Sequence, residues 1–149
     1  MFRRFEFEKE LYETLEFIPL SVRRKLDLAG VKLHLKEWQA LSRVERQVIC
    51  HFPVASPEEC GVLAAFLRDV VKTRAGTELA TIKPASPDAA PEAGQVPPDV
   101  ARLIAELKLP EKRWSLLDPD ERFALAKMAR GGADKFMSAW SEFADKRRA

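Results

Sequence analysis

The sequence predicts an all-α protein: a compact helical domain of about seven helices, arranged as two related three-helix halves behind an N-terminal helix. Three observations predict it. Apolar residues recur three and four apart in one segment after another, the spacing of a buried helical stripe. Helix starts at Ser42, Ser56 and Asp118 carry a capping side chain with a glutamate three residues on, and two of them place proline at the first helical position. A pattern of Trp38, Leu41, Ser42, Glu45 and Arg46 returns at the same spacing as Trp114, Leu117, Asp118, Glu121 and Arg122. Its approach, Lys32, Leu33 and Lys36, returns as Lys108, Leu109 and Lys112. A self-match of this kind is the mark of an internal duplication.

Phe7, Leu11, Leu15 and Ile18 predict a first amphipathic helix that ends before Pro19, with Phe2 and Phe5 stapling the terminus to the core. Leu20 to Ala29 reads as the second, with Val22, Leu26 and Ala29 inward and Arg23, Arg24, Lys25 and Asp27 outward. Gly30 follows where the left-handed end of a helix favours glycine. Val31 to Leu35 alternates, as a short extended run does. A third helix runs from Ser42 to about Phe52, with Val44, Val48, Ile49 and Phe52 as its buried stripe. The fourth starts at Ser56-Pro57, carries Val62, Leu63, Phe66, Leu67 and Val70 inward, and stops at Gly76.

Residues 77–98 are rich in Pro, Ala and Ser and lack a periodic pattern, which predicts a linker between a first half, 17–76, and a second half, 99–149. Both halves belong to one expected domain, 1–149. In the second half Asp99 is expected to cap a helix that Pro110 ends. Asp118-Pro119 opens another that closes at Gly131-Gly132, and Phe136, Met137, Trp140 and Phe143 line a last one.

Composition bounds the function. With 46% hydrophobic and 32% charged residues the chain is an ordinary soluble globular sequence, and a formal charge of +2 is too small to imply a nucleic-acid partner. There is no apolar run of membrane length and no export segment, so the expected location is cytoplasmic, where the two cysteines stay reduced.

Chemistry-bearing residues are few. Cys50, His51 and Cys60 are the one conceivable metal group, and their spacing fits no zinc pattern. Adjacent helical residues such as Cys50 and His51 point about 100° apart, which does not make a nucleophile–base pair. No glycine-rich phosphate loop is present. The expectation is therefore no catalytic residue, no cofactor and no metal: not an enzyme. The helix after Ser42 offers Arg43, Arg46, Gln47 and His51, so the alternative is a small helical nucleic-acid-binding regulator, against which the near-neutral charge weighs.

The run Ile18-Pro19-Leu20-Ser21-Val22-Arg23-Arg24-Lys25-Leu26-Asp27-Leu28-Ala29-Gly30-Val31-Lys32-Leu33, followed by Trp38, Glu45-Arg46 and the Trp114 to Lys127 segment, resembles the conserved nitrate-reductase-associated protein family. The resemblance spans nearly the whole chain. It departs after Leu125, where Gly131-Gly132 stand in place of the family's Pro- or Asn-containing stretch. It implies a non-catalytic accessory or maturation factor for assimilatory nitrate reductase, acting by contact with that molybdenum enzyme or its maturation machinery during cofactor insertion or stabilisation. Expected partner contacts are Arg23, Arg24, Lys25 and Lys32, with Leu26, Gly30, Leu33 and Trp38 fixing the fold.

Overall fold

The computed structural model describes residues 2–84 and 94–148. They group into two compact units, residues 2–4 with 8–84 and residues 5–7 with 94–148.

In the first unit, α1 spans only Lys9–Thr14, because Leu15 turns left-handed at φ 53°. That turn presents the Leu15 carbonyl to two distant donors, Trp38 Nε1 at 2.7 Å and Arg46 Nη1 at 3.3 Å. A long-range partner replaces the helical one, and the expected continuation to Ile18 is lost. Helix α2, Leu20–Ala29, has the expected bounds and ends at Gly30 with φ 73°. Strand β1, Val31–Lys32, pairs antiparallel with β2, Ala80–Thr81, and the Ile82 amide donates to Gly30 O at 2.9 Å. Residues 77–84 of the expected linker are thus folded onto this unit, with Leu79 buried; 85–93 lie outside the described residues.

Gly30 has two reasons to be glycine. Its φ is positive, and an added Cβ would stand 2.7 Å from Pro84 Cγ. Gly76 closes α5 (Pro57–Ala75) at φ 71° with nothing within reach of a Cβ. Gly76→Ala is expected to cost about 1 kcal/mol from backbone strain alone, and Gly30→Ala about 2 or more, read by urea denaturation. Equal losses would show that Pro84 yields freely.

Two further helices complete the unit. Helix α3, Leu35–Ala40, was not foreshadowed; Glu37 accepts the His34 amide at 2.9 Å in its first turn. Helix α4, Arg43–His51, starts at Ser42 with the expected reciprocal cap. In α5 the Ser56 cap is as expected, but Glu59 accepts from the Ala55 amide at 2.8 Å. Helices α2 and α3 pack on α5, and α2 also meets α4. Val22, Leu26, Trp38, Ile49, Leu63, Leu67 and Val71 lie at the centre.

One expected face is turned. Val44 and Val48, placed in the buried stripe of α4, are 68% and 41% exposed, and the inward pair is Ile49 and Cys50. Val62 of α5 also faces solvent, while Leu63 and Leu67 are buried. Helix α4 is rotated because both its ends are held by side chains, as described below.

In the second unit, α6 (Pro98–Glu106) takes Pro97 as its cap residue, so Asp99 lies inside the first turn and is not the cap. A 3-10 helix, Glu111–Leu116, carries Trp114. Helix α7, Pro119–Ala129, is capped by Asp118 with Glu121 reciprocating, and α8 spans Ala133–Arg148. Helices α6 and α8 both pack on α7. Phe136 and Trp140 stack at 5.8 Å, and Phe5 meets Phe143 edge-on at 5.5 Å.

The two matching sequence blocks fold alike locally. Trp38 and Trp114 are buried at 0% and 1% exposure. Leu41 and Leu117 then leave the helix at φ,ψ of −71°,152° and −77°,151°, each donating its amide to the tryptophan carbonyl, at 3.1 and 3.2 Å.

Candidate functional site

The expected contact residues of the first block are not all at the surface. Successive helical positions are rotated by about 100°, so Arg23, Arg24 and Lys25 diverge. Arg23 is exposed and reaches back to the Ile18 carbonyl at 3.4 Å. Arg24 is half-buried, and Lys32 is exposed on β1. Lys25 is 5% exposed and points into the first unit.

This corrects the reading of Lys25 as a surface contact. Its ammonium donates to three carbonyls at the C-terminal end of α4: Phe52 O at 2.8 Å, Ile49 O at 3.5 Å, and Cys50 O. The last carbonyls of a helix lack intrahelical donors and carry the negative end of its dipole, which a cation satisfies on both counts. Lys25 is a positioning residue that pins α4 to α2.

The other end of α4 is held by Arg46. Its guanidinium donates through Nε to Trp38 O at 3.1 Å, through Nη2 to Gln39 O at 2.7 Å and through Nη1 to Leu15 O at 3.3 Å. These are the terminal carbonyls of α3 and the left-handed residue after α1, joined by one rigid fork. In the second unit Arg122 donates to Leu117 O. Arg46 was expected as a possible phosphate contact; the self-matching block is the sequence signal that marked it as architectural. Glu45, on the flank of α4, accepts from Arg74 Nε at 3.1 and 3.3 Å. Slight desolvation raises its pKa, but Ser42 and Arg74 outweigh it and hold the carboxyl below its ordinary value.

The cysteines are separate. Burial pushes the Cys50 thiol up to about 11, against the pull of the Lys25 charge, so it stays a protonated core side chain. Cys60 is half-buried and also raised, chiefly by burial and then by Glu59. It lies on a cleft of about 320 Å³ lined by Leu28, Val54, Pro57, Gly61 and Pro84, with its sulfur 3.7 Å from Val54 O. His51 is exposed, edge-on to Phe2. Among the described residues no group of three or more His, Cys, Asp or Glu could hold a metal ion, and no helix is long and apolar enough to cross a membrane.

These features define a small helical protein in which Lys25 and Arg46 hold backbone carbonyls, joining helix ends and loops to one another. The chain belongs to the conserved nitrate reductase-associated protein family, whose sequence model matches residues 4–143. No curated protein and no solved structure matched it.

Proposed function

We propose that this protein is a non-catalytic accessory factor needed for the activity of assimilatory nitrate reductase. It acts by protein–protein contact while that molybdenum enzyme receives its cofactors or is stabilised afterwards. The match to the nitrate reductase-associated family over residues 4–143 carries the reading. The geometry supports it: Lys25 and Arg46 are engaged with backbone carbonyls, which leaves exposed side chains to meet a partner. Arg23 and Lys32, both exposed, are the polar contacts proposed for the partner, since exposed charge steers association. The test is reductase activity in a cell that makes the enzyme together with wild-type protein, with Arg23→Glu/Lys32→Glu, or with neither. Activity lost in the last case and reduced in the second is the expected result. Full activity in all three would reject the role. Salt-dependent retention on nucleic acid, with no affinity for the reductase, would favour the regulator instead.

A further inference from the structure

Helix α4 is open at two positions whose counterparts in the second unit are covered. Aligning the sequences of the two matching blocks sets Gln47 and Val48 of α4 against Phe123 and Ala124 of α7. Phe123 and Ala124 are buried, in a helix on which both α6 and α8 pack. Gln47 is exposed, Val48 is 41% exposed and Val44, one turn before, is 68% exposed. The difference arises in the following helix. In the second unit α8 packs on α7, whereas in the first unit α5 packs on α2 and α3. Helix α4 therefore offers an apolar ridge without the helix that its sequence twin has.

We propose that this ridge is a docking site for an amphipathic helix of the reductase; the inference rests on the accessory reading above. Charge selects the occupant. Arg43 stands exposed on the ridge, and the four ridge residues Arg43, Val44, Gln47 and Val48 include no carboxylate. Glu45 lies on the flank and is engaged by Arg74. A second copy of α4 would bring another arginine and nothing to meet it. A partner helix with apolar residues one turn apart and an Asp or Glu beside them satisfies both the valines and Arg43.

The test uses the full chain and purified cognate nitrate reductase. Val48→Glu and Arg43→Glu each change a solvent-facing side chain, and thermal melting checks that the fold is kept. Each is expected to weaken binding about tenfold or more, with Val62→Glu on α5 within about twofold of wild type. A photo-crosslinking residue at position 48 should join an acid-bearing amphipathic helix of the reductase. Wild-type affinity in both α4 variants would overturn the ridge and leave the accessory reading standing. Crosslinks to a second copy of this chain, or to a strand or loop, would overturn the chosen occupant. No binding of wild-type protein would remove the accessory reading and the ridge with it.

Discussion

Replacing Trp38 by alanine is expected to cost about 3–5 kcal/mol, the largest single-residue loss in the first unit. The side chain is fully buried among Val22, Leu26, Ile49 and Leu67, and its indole N–H serves the Leu15 carbonyl at 2.7 Å. Truncation leaves a cavity and takes away one of two donors to that carbonyl. Trp38→Phe separates the two contributions: most of the volume stays, the donor goes, and about 1 kcal/mol of loss is expected. Arg46 also donates to Leu15 O, so Trp38→Phe and Arg46→Met should be non-additive. Urea denaturation followed by circular dichroism measures these variants and the double variant. Additive losses would show that the shared carbonyl does not couple them.

Lys25→Met is expected to destabilise the protein by about 3 kcal/mol, because the carbonyls at the end of α4 lose a charged donor while remaining buried. Methionine keeps much of the aliphatic stem, so the loss reports on the ammonium. Arg23→Met, two residues away on the exposed side of α2, should change stability by less than about 0.5 kcal/mol. The same denaturation experiment compares them. Equal small effects would return Lys25 to the surface role that its neighbours suggested.

How much of this was legible follows from where the signals lie. The ends of α2, α5 and α7 were readable because they are local: Gly30 and Gly76 supply left-handed turns, and Ser56-Pro57 and Asp118-Pro119 write the starts. The early end of α1 was not readable, since the left-handed Leu15 is stabilised by donors from Trp38 and Arg46, far along the chain. Strand β2 was missed for a related reason: two residues in a non-periodic segment carry no pattern, and the pairing partner is Val31–Lys32.

The candidate site was less legible than the fold. Three basic residues in a row gave no means of telling Lys25 from Arg23, because what distinguishes them is the position of α4's last carbonyls. Val44 and Val48 fit a helical stripe with Ile49, yet the clamps at both ends of α4 turn the helix toward Ile49 and Cys50. Periodicity fixes which residues share a face; long-range bonds decide where that face points. The self-matching block was the more informative signal, since it marked Arg46 and Arg122 together.

The proposed accessory role is tested most directly by making the cognate nitrate reductase with and without this protein, then measuring its activity alongside its molybdenum and iron content. Without the protein, the enzyme is predicted to be inactive: poor in metal if insertion is the step served, replete if stabilisation is. Full specific activity in enzyme made without it would contradict the role.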